Sequence, residues 1–365
     1  MERWPADGIP PNPGGWLTTT ATRKAIDRVR RESRRELKHQ QAQVLYDDHA
    51  PARPGVIDDD RLRLIFTCCH PALAPEARIA LTLRMVGGLT VPEIAQAFLV
   101  QESAMGRRIT RAKAKLRADH VPYRVPATDD LPARLDGVLT VLFLVFNEGY
   151  LATGAESVPI RADLTQQAIR LTRLVHALLP DDGEVVGLLA LMLLTEARRP
   201  ARVSATGELV TLREQDRSQW DREVIEEGHR LVRGRLAAVA AGGPAPGRFQ
   251  LLAAINAVHT YALRADDTDW FQVVALYDRL LRIDPSPVVA LNRAVAVAEL
   301  DGPEVALGLL DGLALDGYHA FHATRAELLR RVGRVREARE DYTRAIALAG
   351  NPAETAYLTR RRDQL

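Results

Sequence analysis

Apolar residues return every three to four positions through almost all of this 365-residue chain, and the period-two alternation of a half-buried strand is nearly absent. A 3.6-residue period lines the apolar side chains along one face of a helix, so the pattern prescribes an all-α fold. Helices are expected over residues 19–43, 59–67, 76–87, 90–98, 103–118, 134–146, 163–179, 184–198 and 220–240. Those at 134–146, 163–179 and 184–198 are apolar enough to be largely buried. The longest uninterrupted apolar run, 185–194, falls far short of the ~20 residues that cross a bilayer. Residues 1–15 are rich in proline and glycine and lack the apolar stretch of a signal peptide. The only two cysteines, Cys68 and Cys69, are adjacent and give no disulfide framework. A soluble, cytoplasmic, multidomain chain with no membrane partner is expected.

Composition shifts mark the joints. Residues 120–130 carry two prolines and end in acids, residues 200–215 are polar and broken by glycine, and residues 241–247 are small and flexible. After residue 247, helical patterns recur in pairs. Gly302 and Gly333 each separate two helices, 31 residues apart, and Gly333, Ala338, Tyr342 and Ala345 have the spacing of a tetratricopeptide repeat. Such repeats stack helix pairs through small residues. An ordinary bundle of antiparallel helices is the other reading.

Charge is unevenly placed. Residues 1–120 hold 20 basic against 14 acidic side chains, and residues 121–365 hold 29 against 33. All four lysines, Lys24, Lys38, Lys113 and Lys115, fall in the first third. A basic first third suits a nucleic-acid partner. Within it, Thr90, Pro92 and Glu93 open a helix in the manner of a capping box, a short turn follows, and a second helix starts near Ser103. Met105, Ile109, Ala112 and Leu116 share its core face, while Arg107, Arg108, Arg111 and Lys115 lie away from it. Residues 101–117 hold six basic side chains and one acid, Glu102. Two short helices with the second one basic and exposed form a helix-turn-helix. Arginine suits it, because its planar fork bonds guanine O6 and N7 together or clamps phosphates.

A second basic cluster, residues 22–38, holds eight basic residues against three acids. It follows Trp16-Leu17-Thr18-Thr19-Thr20, an aromatic and hydroxyl run able to stack on an unpaired base and grip a backbone. A solvated helix with Trp16 in a core is the competing reading.

The order of these pieces resembles the group IV, extracytoplasmic-function, RNA polymerase sigma factors: Pro13-Gly14-Gly15-Trp16-Leu17-Thr18-Thr19-Thr20, then Ala25-Ile26-Asp27-Arg28-Val29-Arg30-Arg31, then the helix-turn-helix. Leu64-Ile65-Phe66-Thr67-Cys68-Cys69-His70-Pro71, Phe146-Asn147-Glu148-Gly149-Tyr150, residues 188–202 and Gln215-Asp216-Arg217-Ser218-Gln219-Trp220-Asp221 resemble the subgroup with a large C-terminal helical and tetratricopeptide extension. The resemblance implies a sigma factor whose partners are core RNA polymerase and promoter DNA, with a protein partner or signal acting on the extension in cis. It implies that Trp16, Thr20, Arg23, Lys24 and Arg28 meet the −10 element and that Ser103, Arg107, Arg108, Arg111 and Lys115 meet the −35 element. The implied domains are residues 1–45 (late part of the first sigma domain), a linker at 46–58, 59–120 (−35 domain), a linker at 121–130, 131–240 (helical extension) and 248–365 (repeats).

Two departures accompany the resemblance. Family members have a further helical stretch before the Trp16 motif, the main docking surface on core polymerase. This chain opens with Met1-Glu2-Arg3-Trp4, so either translation starts upstream of Met1 or the chain binds promoters without recruiting polymerase well. Thr22-Arg23-Lys24 stands where an asparagine is usual. Cys68-Cys69-His70 lacks the four ligands that zinc needs and reads as small buried thiols. Asn147 and Glu148 read as satisfying buried backbone or arginine groups at a helix end. Residues 200–220 read as a brace between the extension and the sigma domains. No phosphate loop, paired metal-binding histidines or nucleophile elbow is present, so neither an enzyme nor a cofactor is expected. A tetratricopeptide scaffold with incidental DNA binding, and a dimeric helix-turn-helix repressor, are the alternatives.

Overall fold

The computed structural model describes residues 60–97, 100–127, 130–151, 160–204 and 208–365. They are helical throughout, as the periodicity requires; the one β feature among them is an isolated antiparallel bridge between Val203 and Leu209. No helix of the described residues is long and apolar enough to cross a membrane.

Helix α1 (Asp60–Cys68) is short and sandwiched. Ile65, Phe66, Thr67, Cys68 and Cys69 are all buried in succession, which a helix permits only when packing covers more than one face. Helix α2 (Pro75–Met85) packs beside it, and α3 (Val91–Ala97) and α4 (Glu102–Ala118) lean on α2. On the other side stand α5 (Leu131–Tyr150) and α6 (Ala162–Leu178), which touch α1, while α5 also touches α2. One hydrophobic core therefore runs from Phe66, Leu81, Ile94, Met105 and Ile109 into Leu139, Leu142, Phe146 and Leu171 without a break. The stretch around residues 121–130 separates two segments in sequence but not two cores. Tyr123 spans it, donating its hydroxyl to the Asp60 carbonyl at 2.8 Å, and Arg134 donates Nη2 to the Phe66 carbonyl at 2.6 Å.

The crossing of α5 and α6 depends on Gly149. A Cβ there would lie 2.7 Å from the Thr165 nitrogen and 2.9 Å from the Arg161 carbonyl oxygen. Helix α7 (Gly183–Glu196) contains the longest apolar run, and every residue from Val185 to Thr195 is buried. A helix apolar all round belongs in the middle of a protein, and α7 is enclosed by α6, α8 (Arg222–Ala240) and α9 (Arg248–Tyr261). Asp182 starts it by accepting from the Glu184 and Val185 amides, both at 3.0 Å.

Beyond α9, helices stack in sequence: α10 (Trp270–Ile283), α11 (Pro287–Leu300), α12 (Pro303–Leu310), α13 (His319–Arg331), α14 (Val335–Leu348) and α15 (Pro352–Asp363). Gly302 and Gly333 turn the chain at φ +97° and +76°, a region that side chains with a Cβ avoid. Ala338, Tyr342 and Ala345 form the buried face of α14.

The polar stretch after α7 runs against these helices rather than toward the helix-turn-helix. Arg217 donates to the His259 and Ala262 carbonyls at the end of α9, Arg213 pairs with Asp266 at 3.1 Å and Glu299 at 3.3 Å, and Glu208 pairs with Arg360 of α15. The segment thus touches both the first and the last helices of the series. The brace expected toward the sigma domains is thus a brace within the extension.

Two polar clusters, one buried and one partly exposed, fasten α13 to α14 and α15. Asp341, 1% exposed, receives Arg325 and His322, and His322 also bonds the Asp316 carbonyl. Burial alone would push Glu327 up, but bonds from Arg330, Arg361 and the Tyr342 hydroxyl outweigh it and hold the carboxyl down at about 2. A depressed carboxyl contributes stability above its unfolded value near 4.5 and loses it as pH falls toward 2. Glu327 is partly exposed, so solvent screening reduces the effect. Glu327→Gln is expected to cost about 1–2 kcal/mol at pH 7. The gap from the parent chain should close between about pH 4.5 and 2 in urea unfolding followed against pH.

Candidate nucleic-acid interface

The interface is built from α3 and α4. Thr90 and Glu93 cap α3 reciprocally: the Thr90 amide and hydroxyl donate to Glu93 Oε2 at 2.6 and 2.8 Å, and the Glu93 amide approaches Thr90 Oγ1 at 3.4 Å. The Thr90 amide, then its hydroxyl, hold the Glu93 carboxyl below its ordinary value. Arg161, just before α6, stands 3.7 Å from the other Glu93 oxygen and ties the first helix of the pair to the extension.

In α4 the buried face is Met105, Ile109, Ala112 and Leu116, as the spacing predicts. Opposite it, Ser103, Arg107, Arg111 and Lys115 recur every four residues and are all exposed, forming one stripe along the helix; Arg108 flanks the stripe and is half-buried. Arg111 Nε approaches the Arg107 carbonyl at 3.4 Å. Lys115 pairs with Asp119 one turn on, at 2.9 Å and in solvent, an interaction that a phosphate can displace at little cost. Like charges at i, i+4 repel, so the Arg107–Arg111 stretch gains from a polyanion laid along it. The principal neighbours of α4 are α2 and α3, and the stripe is exposed.

The other five expected contacts, Trp16, Thr20, Arg23, Lys24 and Arg28, lie outside the described residues. Cys68 and Cys69 sit in the core, each 1% exposed. Burial drives the Cys69 thiol up to about 12, against a weak bond to Thr82 at 3.7 Å. Among the described residues no group of three or more His, Cys, Asp or Glu side chains is placed to hold a metal ion. The Asn147 side chain is exposed, so it does not serve a buried group; Glu148 is half-buried and partnered. The arginine at that helix end is Arg202, which stacks on the Tyr150 ring 3.2 Å from its centroid and donates to the Tyr150 carbonyl. Sequence reasoning did not single out Arg134, Arg161 or Tyr123. The signal that pointed toward them is the unbroken buried run of residues 65–69, too apolar for a helix covered on one face.

Comparison with known proteins gives two family matches. Residues 63–116 match the model described as "Sigma-70, region 4", and residues 134–236 match a family of unknown function, DUF6596. An uncharacterized protein of Rhizobium meliloti (strain 1021) is 44% identical over 374 residues, covering 100% of this chain and 87% of that protein. The ECF RNA polymerase sigma factor SigK of Mycobacterium ulcerans (strain Agy99) is 32% identical over 114 residues, 30% of this chain and 60% of the relative. SigK of Mycobacterium bovis (strain BCG / Pasteur 1173P2) is 33% identical over 105 residues, 28% of this chain and 55% of the relative.

The cap is expected to matter for the position of α4. Glu93→Ala removes both the reciprocal cap and the link to Arg161, and should lower stability by about 1 kcal/mol in denaturant unfolding.

Proposed function

We propose that this chain, which shares a family with the Rhizobium protein over its full length, works as a sigma factor that directs core RNA polymerase to a set of promoters; the match of residues 63–116 to "Sigma-70, region 4" and the likeness of part of the chain to SigK support the reading. The observation that carries the reading is the exposed four-residue repeat Ser103, Arg107, Arg111 and Lys115 on a helix whose opposite face is fixed in a core. In this reading α4 lies in the major groove at the −35 element. An arginine of the stripe takes guanine O6 and N7, while Lys115 and the half-buried Arg108 hold phosphates. Trp16, Thr20, Arg23, Lys24 and Arg28 act at the −10 element, where promoter melting exposes bases for stacking and capture.

The finer assignment is an extracytoplasmic-function factor of the subgroup with a large C-terminal extension, acting in the cytoplasm and controlled in cis. The continuous core supports control by position rather than by cover: the extension grips α1, α2 and the cap of α3 and leaves the DNA stripe free. The helix stack from α9 to α15 is then a tetratricopeptide-like arc that receives the regulatory partner or signal. The alternative is a scaffold that binds DNA incidentally; the exposed basic repeat of α4 favours the sigma reading over it.

Run-off transcription with purified core polymerase tests the proposal, using this chain and a form extended at its N-terminus. Discrete transcripts that depend on the −35 sequence are expected from at least one form. Their absence from both, and from both after removal of the repeats, would overturn it. On promoter DNA, Arg111→Ala should cost about 1–3 kcal/mol and relax preference at one base pair. Lys115→Ala should weaken all sequences alike and reduce the salt slope by about 1.

A further inference from the structure

A cleft of about 80 Å³ lies where α7, α8, α9 and α10 meet. Helix α7 is buried throughout this stretch and forms its floor. Gly187 lets α9 cross that floor closely, since a Cβ there would stand 2.5 Å from the Gln250 nitrogen. Ala190 and Ala253, each 1% exposed, add only methyl groups to the crossing, so a hollow remains that larger side chains would fill. Helix α8 packs on α7 and α9, and α10 packs on α9, so Leu231 and Val232 wall the hollow on one side and Leu276 on another.

The hollow is open to solvent. Leu236 lines it and is 61% exposed, so α8 carries an apolar side chain there that no helix covers. One water needs about 10–15 Å³, so the hollow has room for several, against walls that offer them few partners. An aliphatic chain gains by replacing such water. The charges on the lining are both positive: Arg235, half-buried, and Arg279, exposed. Arg235 donates Nε to Gln250 Oε1 at 3.2 Å and Nη1 to the Asp181 carbonyl at 3.3 Å, both neutral acceptors. Glu184, which shares Gln250 with it, is committed to the start of α9, where it accepts from the Phe249 and Gln250 amides at 2.9 and 3.2 Å. Asp278, beside Arg279 in sequence, is paired with Arg293 at 2.6 Å. An apolar interior with a cationic lining fits a ligand that has a greasy tail and an anionic head.

We propose that this cleft binds a small monocarboxylate with an aliphatic chain, its chain against Val186, Ala190 and Leu251 and its carboxylate held by Arg235 and Arg279. The ligand bridges α8, within the stretch that matches the family of unknown function up to residue 236, and α10, the first helix beyond α9. Its occupancy therefore bears on how the later helices are held to the extension. The cleft shares no residue with the α4 stripe, and binding there does not rest on the sigma-factor reading.

Isothermal calorimetry on the full chain tests it, with octanoate as the probe and with acetate and 1-octanol as controls for the head alone and the chain alone. Saturable binding of octanoate is expected, with no binding of acetate and with 1-octanol weaker by about tenfold. Arg279→Met should weaken octanoate about threefold, as for loss of an exposed ion pair, and leave 1-octanol unchanged. Ala254→Leu, at a half-buried position of the lining, fills the hollow and should abolish binding of both. Should Ala254→Leu fail to fold, the comparison of octanoate with 1-octanol and the Arg279→Met variant decide. No saturable octanoate binding, or binding unchanged in folded Ala254→Leu, would overturn the proposal. Equal binding of octanoate and 1-octanol would overturn it too, leaving an apolar seat of the kind a partner's side chain fills.

Discussion

Helix α1 buries Ile65, Phe66, Cys68 and Cys69 between two groups of helices that a sequence-based division would separate. On one side stand the helices that carry the basic stripe, on the other α5 and α6. Burying a side chain the size of Phe66 contributes about 1.5–3 kcal/mol, and neither side covers α1 alone. A chain cut after residue 130 would present Phe66 and its neighbours to water. The helix-turn-helix is therefore an outgrowth of a larger body, and the position of α4 is set through α2 and α1 by the extension.

The polar contacts reinforce that dependence at defined points. Arg134 anchors on the Phe66 carbonyl, Tyr123 on the Asp60 carbonyl, and Arg161 on Glu93. The partly exposed Arg161–Glu93 pair contributes little alone, and the three contacts together select an orientation that the apolar core alone leaves loose. The chain gathers positive charge in two places with different surroundings. Those of α4 are in solvent, where screening makes repulsion tolerable and a polyanion welcome. Those of Arg198, Arg202 and Arg217 are enclosed and held by the Asn256 side chain, backbone carbonyls and aromatic faces.

Much of this was legible in the sequence. Helical period placed the elements, and the core face of α4 emerged residue for residue, because Met105, Ile109, Ala112 and Leu116 keep one spacing across three turns. The capping box was readable because Thr90 and Glu93 interact locally. What escaped was long-range: which face of α1 meets α5, and where residues 199–221 run. Carbonyl clamps such as Arg134 to Phe66 and Arg217 to Ala262 join positions 68 and 45 residues apart and leave no periodic trace. The run of buried residues 65–69 hinted at a sandwiched helix, but nothing local says what covers it. Asn147 misled for the same reason, since its exposure depends on where α6 and Arg202 arrive.

The helices that carry the basic stripe and the first helices after residue 130 fold as one body. Native-state hydrogen exchange on the full chain carrying Leu142→Ala tests it most directly, because Leu142 lies fully buried in α5 and touches no proposed DNA contact. The substitution is expected to cost about 2–5 kcal/mol. The account predicts that the protection of the Ile109 and Ala112 amides in α4 falls by the same free energy as that of amides in α5 and α6. Loss of protection confined to α5 and α6, with α4 unchanged, would contradict it.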